Sequence, residues 1–325
     1  MRRREFIAGL GGMAAWPLAA HAQQYPSIGY LMIAPRGSSP LVDGGFFRGL
    51  AEAGFSEGRN IKIEYRSADG QVDRLPALAS DLVARNVKLI AAMGGSASPL
   101  AAKAATTTIP IVFTTGDVDP VQVGLVESLA RPGRNVTGVS FLGGMLGAKR
   151  LEMLRELVPQ ATTIGVLINP QNRASRADAE ELQAAVVAGH QRLVAVTAGP
   201  ADELAAALDG ARQQNIDALV VTADPTFTIR RTELAVLLAR HGIPAIFQWN
   251  LFVAAGGLMS YGADLSDGYR QAGLYSGRVL KGEKPADLPV VQPTKFTFAI
   301  NLRTARALGL NVPPTLLARA DEVIE

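Results

Sequence analysis

The sequence predicts an α/β protein of two lobes, each a parallel sheet covered by helices. Three observations lead there. First, the chain repeats itself about 135 residues on. Ile28-Gly29-Tyr30-Leu31-Met32 returns as Ile164-Gly165-Val166-Leu167-Ile168, and Lys88-Leu89-Ile90-Ala91-Ala92 returns as Asp217-Ala218-Leu219-Val220-Val221. Ile109-Pro110-Ile111-Val112-Phe113 is matched by Ile243-Pro244-Ala245-Ile246-Phe247. A period this long is not a solenoid unit of roughly 20–50 residues. Second, short apolar runs alternate with helical patterns, as parallel strands joined by crossover helices require. Third, 325 residues at 48% hydrophobic and 19% charged content can fill two cores, which excludes a disordered chain. Two Rossmann-like lobes of this kind create a cleft between them.

Taken in order, the chain opens on a separate segment. Arg2, Arg3 and Arg4 form a basic head, Ile7–Ala20 is apolar and rich in small residues, and Ala20-His21-Ala22 fits a small-x-small cleavage site. That is the layout of an export signal over residues 1–22, with an apolar stretch shorter than the roughly 18–20 residues that span a bilayer. Arg3-Arg4-Glu5-Phe6-Ile7 resembles the twin-arginine pattern, which predicts export in folded form. Without residues 1–22 the formal charge falls from +3 to +1. A near-neutral remainder offers no footprint for nucleic acid. The chain has no cysteine, which excludes disulfides, cysteine-based zinc sites and a lipid-anchored cysteine. The mature product is expected free in a periplasm, as a monomer.

Ser27–Ile33 reads as the first strand. Phe46–Ala51 belongs to a helix stopped at Gly54, since glycine tolerates the positive φ of a helix C′ residue. Ile61–Arg66 reads as a strand, Leu75–Arg85 as a helix, Leu89–Met93 as a strand, Pro99–Ala105 as a helix and Ile111–Thr114 as a strand. The second lobe leads in with a helix over Leu146–Leu157. Its strands are Thr163–Ile168, Arg192–Thr197, Ala218–Val221 and Ala245–Phe247; its helices are Ala177–Ala188, Asp202–Gln214 and Ile229–Arg240. Asp202 reads as an N-cap. Val136–Leu142 and Leu258–Ala263 read as exits from the lobes, Tyr269–Lys281 as a helix returned to lobe one, and the proline-rich Pro285–Pro293 as a connector. The boundaries expected are 25–138 plus about 264–290 for lobe one, and 139–263 plus about 293–325 for lobe two. Three crossings of this kind form a hinge.

Ligands of open α/β sheets bind beyond the carboxyl ends of the strands, so the strand-end loops hold the candidates. Gly95, Ser96, Ala97 and Ser98, after the third strand, combine a closely approachable backbone, hydroxyls and a helix N-terminus. That chemistry suits a carboxylate; the competing reading is a capped strand-to-helix turn. Asp117, Thr222 and Asp224 also follow strands and would receive an ammonium or hydroxyl group. An Asp that bonds its own turn beside Pro is the competing reading, stronger at Asp119. Trp249 and Tyr261 offer rigid faces with a polar handle, with Phe227 nearby and Phe247 better read as strand core. Arg36, in the first strand-end loop, would pair with a second carboxylate or remain in solvent.

Catalytic patterns are missing. His21 falls in the signal, and His190 and His241 each follow a helix, where histidine usually caps or faces solvent. Gly138-Val139-Ser140-Phe141-Leu142-Gly143 is one residue too long for a nucleophile elbow. There is no P-loop, metal-binding His pair or EF-hand loop. No enzyme activity, cofactor or metal is expected.

Four blocks carry a resemblance. They are Ala130-Arg131-Pro132-Gly133-Arg134-Asn135-Val136-Thr137-Gly138, Gly256-Gly257-Leu258-Met259-Ser260-Tyr261-Gly262, the stretch Leu280–Pro289, and the ending Pro313–Glu325. Together they resemble the ABC-transporter substrate-binding proteins of the tryptophan/tyrosine-type group, over nearly the whole chain. Arg134 departs from the family's usual glycine, at a lobe exit. The resemblance implies a type I periplasmic binding fold and capture of a small carboxylate-bearing solute, an aromatic or other amino acid. It also implies delivery to an inner-membrane permease served by a separate ATPase. In relatives that bind aromatic amino acids the carboxylate sits at the loop after strand three, here Gly94–Ser98. A receptor feeding a membrane sensor kinase is the alternative the residues leave open.

Overall fold

The computed structural model describes residues 25–325 except 39, 117, 142–145 and 200–202. The expected export signal, the candidate Asp117 and the Asp202 cap lie outside the described residues. The first lobe runs β1 (Ser27–Met32), α1 (Pro40–Glu52), β2 (Lys62–Ser67), α2 (Leu75–Ala84), β3 (Leu89–Met93), α3 (Ala97–Ala105), β4 (Ile111–Thr115) and β5 (Val136–Ser140). The second runs α4 (Gly147–Leu157), β6 (Thr163–Ile168), α5 (Arg173–Ala188), β7 (Arg192–Thr197), α6 (Glu203–Gln213) and β8 (Ala218–Val221). It continues through α7 (Pro225–Ile229), α8 (Arg231–His241), β9 (Ala245–Phe247), α9 (Asn250–Ala254) and β10 (Met259–Ala263). After α10 (Leu265–Leu280) come β11 (Phe296–Asn301), α11 (Leu302–Ala307), α12 (Pro314–Leu317) and β12 (Glu322–Ile324).

The first sheet has the order β2-β1-β3-β4-β5, all parallel. The second has the order β12-β11-β10-β9-β8-β6-β7, parallel except between β10 and β11. Without β11 and β12 its order, β7-β6-β8-β9-β10, is that of the first sheet. The repeat in the sequence is therefore a repeat of topology. Central strands such as β3 and β6 are buried at every residue, because helices cover both faces of a parallel sheet. Each sheet reverses its strand order between its first and third strands. That switch point leaves a crevice beyond the strand ends.

The chain passes between the sheets after β5, after β10, and between α10 and β11. Helix α10 follows a strand of the second sheet yet packs on α1 of the first lobe. Gly45 and Gly49 on α1 meet the backbone at Ser266 and Arg270, and Gly273 and Gly277 on α10 meet Phe46 and Ala53. Both pairs are spaced by four residues, so they fall on one helix face and let the two backbones approach closely. Arg270 adds an ion pair to Glu52 at 2.8 Å. The following connector lies along lobe one: Thr137 Oγ1 donates to Leu288 O at 2.7 Å, and Val139 bridges to Val291. At the other end, β12 and α12 rest on lobe two, where Thr315 Oγ1 donates to Glu156 at 2.6 Å.

Candidate ligand-binding site

The two switch points face one cleft. It encloses about 790 Å³ of open space, part of it continuous with solvent, and both lobes line it. Its walls are mostly apolar: Met32, Ile33 and Met93 from strand ends of lobe one, Phe141 from the first crossing, and Ile229, Trp249 and Leu251 from lobe two.

The loop after β3 turns on Gly94 (φ +85°) and Gly95 (φ +116°), a backbone region that disfavours any residue with a Cβ. Gly94 N–H donates to Thr114 Oγ1 at 3.2 Å, which fixes this loop to the end of β4. Ser96 is the N-cap residue of α3. The helix starts at Ala97, earlier than the sequence pattern implies, because Pro99 fits a first turn, where its missing N–H costs nothing. So Gly94 and Gly95 line the cleft, whereas the other predicted loop residues, Ser96, Ala97 and Ser98, do not. Ser98 is 1% exposed inside α3.

Trp249 closes the opposite wall. Its ring lies edge-on to Phe141 at 5.5 Å, and Phe141 in turn lies 6.0 Å from Tyr269. With the Gln248 amide oriented to satisfy both its ends, it accepts from Trp249 Nε1 at 3.3 Å and donates to Val221 O at 3.2 Å. The indole also reaches lobe one, since a Cβ added to Gly116 would stand 3.0 Å from Trp249 Cζ2. A second bridge crosses beside it. Arg231 Nη2 donates to Ser38 O at 2.6 Å, while its Nη1 donates to Thr228 O at 3.1 Å.

Other candidates take scaffold roles. Asp224 lines the cleft, but it is the N-cap of α7 and its carboxylate is filled by its own lobe. Asn169 and Asn172 amides donate to Oδ2 at 3.1 and 2.8 Å, and the Thr226 and Phe227 N–H groups to Oδ1 at 2.8 and 3.4 Å. Four donors match the roughly four acceptor positions of a carboxylate. Thr222 is buried beneath the loop, donating to Leu167 O at 2.8 Å. Tyr261 is mid-strand, not at a strand end. The pleat turns it from the cleft onto Phe296, 6.2 Å away. Arg36 is exposed, with its guanidinium 3.7 Å over the Tyr65 ring. Phe227 and Phe247 are fully buried core. Asp119 bonds its own turn at Val121 N, 2.8 Å away.

The site also contains a pair that the strand-end search passes over. Asp43, on the first helix, lines the cleft and accepts from Tyr30 Oη at 3.1 Å. Tyr30 is fully buried on β1 among Phe46, Phe47 and Tyr65. Burial, then the nearby Asp43 charge, pushes its phenol well above the ordinary range, so it remains a hydroxyl donor. One signal was available: Asp43 is the sole acidic residue between Ser27 and Glu52.

Two lobes of identical strand order, three crossings and a cleft lined from both sides define a hinged binding protein of the type I periplasmic class. The chain belongs to the family of ABC transporter substrate binding proteins, which it matches over residues 31–324. It is 29% identical over 289 residues to a tyrosine-binding protein of Clostridioides difficile (strain R20291), covering 89% of this chain and 82% of that one. An ABC domain from Streptococcus pneumoniae in complex with L-Trp superposes with a TM-score of 0.84 at 27% identity, covering 92% of this chain and 100% of that one. A ligand-free, open substrate-binding protein with adhesive properties from Clostridium difficile gives 0.68 at 26% identity, covering 92% and 99%.

Proposed function

We propose that the chain is the periplasmic solute-binding component of an ABC importer and captures an aromatic amino acid between its lobes. The observation that carries this reading is the cleft: an apolar chamber walled by Trp249, Phe141 and Tyr269, with the Gly94–Gly95 turn on one side. An aromatic side chain matches the rings. A carboxylate matches the closely approachable backbone of the Gly94–Gly95 turn, which leads into α3. The tyrosine and tryptophan named for two relatives support the same class of ligand. The protein retains its ligand and hands it to an inner-membrane permease driven by a separate ATPase, so no turnover is expected. Closure follows from a ligand that touches both lobes and so favours the closed state.

The test is a thermal-shift screen of the purified protein against the common amino acids and aromatic acids, followed by calorimetry. A ligand specific to the native state raises Tm. Tyrosine, tryptophan or phenylalanine should give the largest rise; no rise with any of them sinks the reading.

A further inference from the structure

Among the described lining residues there is no Lys, Arg or His, and the acidic ones are Asp43 and Asp224. The two differ in what remains open to a ligand. Asp224 already takes four donors from its own lobe. Asp43 is held by the Tyr30 hydroxyl and the Gly37 backbone N–H, two of about four acceptor positions. Tyr30 cannot move away, being packed among three aromatic rings. Asp43 is half-buried beside the apolar wall formed by Val42 and Met32. An ionised carboxylate in that setting is stabilised by a cation with N–H donors and opposed by an anion.

We propose that Asp43, oriented by Tyr30, accepts the ligand's ammonium group, and that it makes the cleft select amino acids over the aromatic carboxylic acids that lack an amine. The proposal rests on the amino-acid reading above and deepens it. A zwitterion brings a positive group for Asp43 and a carboxylate for the Gly94–Gly95 turn. A simple aromatic acid brings only the second, and leaves Asp43 desolvated without a partner as the lobes close. Sites that hydrogen-bond a ligand group reject the analogue without it because the site's own buried group is left unpaired.

Calorimetry on the whole mature protein tests this with three sets of probes. They are L-tyrosine and L-tryptophan, their deamino acids (3-(4-hydroxyphenyl)propanoate and indole-3-propanoate), and the amines tyramine and tryptamine. The wild type should bind the amino acids on the order of 100-fold or more tightly than the deamino acids. Asp43→Asn should weaken the amino acids by roughly 10- to 100-fold while leaving the deamino acids unchanged or tighter. Tyr30→Phe, which keeps the ring and its packing, should move discrimination in the same direction by less. A purely structural role for the pair would weaken both classes equally, and that result overturns the proposal. So does wild-type binding of deamino acids as strong as of amino acids, which leaves the importer reading standing. If the wild type binds none of the probes, the amino-acid reading itself fails and this proposal with it.

Discussion

Burial raises the Asp43 carboxyl above its ordinary value of 3.8, against the opposing pull of the Tyr30 hydroxyl, the Gly37 N–H and the Arg36 charge. Its partner Tyr30 in turn faces the titratable groups of Tyr269 and Tyr65. Burial moves Tyr65 up to about 12, so it keeps its proton throughout the acid range. A carboxyl raised on folding holds its proton more tightly in the native state than in the unfolded chain. Its contribution is therefore fully present below the unfolded value and is lost as pH rises through the native one. In ligand-free protein, the Tm of the wild type relative to Asp43→Asn should fall as pH rises from about 3 to about 7. A rise over that window would show that Asp43 is instead stabilised as an anion. At the same scale, the competing readings explain which candidates the cleft uses. Asp224 and Thr222 have the right position and the wrong availability, because short polar side chains at strand ends bond their own turns first. Asp43 was hidden for the opposite reason: a first-turn aspartate on a helix reads as a complement to the helix dipole.

Strands of the second lobe were the most legible elements. β3, β6, β7, β8 and β9 begin and end where the apolar runs do, since turn residues bound each run. Helix limits were less legible. The pattern over Ile229–Arg240 corresponds to α8, but it misses the short α7 before it, which starts at Pro225 on the Asp224 cap and ends at its C-cap Arg230. The close pairing of α1 with α10 was not legible at all. Glycine inside a helical pattern reads as weak propensity, and only the partner helix reveals its use. Placing a methyl at Gly49 drives it into the Arg270 carbonyl, which belongs to backbone and cannot rotate aside. Gly49→Ala should therefore destabilise by about 1–3 kcal/mol, lowering Tm by several degrees in a thermal melt. An unchanged or higher Tm would mean that the helices can part without penalty.

For the molecule as a whole, two contacts among the described residues join the lobes across the cleft: the Trp249 indole at Gly116 and the Arg231 bond to Ser38 O. Because the second exists only when the lobes meet, removing it should favour the open form. Arg231→Ala should weaken amino-acid affinity by up to about 10-fold, mostly through faster release. Small-angle scattering of the ligand-free variant should give a larger radius of gyration; unaltered affinity and radius would show that the bond does not govern closure. The duplication made the two-lobe plan legible in the sequence, but the disposition of the lobes comes from these side-chain contacts, which no repeat announces. The glycine-lined union of α1 and α10 has a consequence for how the protein is made. The α1 segment is complete at Glu52, while its partner ends at Leu280. At a synthesis rate of about 5–20 residues per second, the partner leaves the ribosome roughly 10–45 s later. Through that interval the apolar side of α1 is open to chaperones, and the first half of the protein cannot finish folding until most of the second half has been translated.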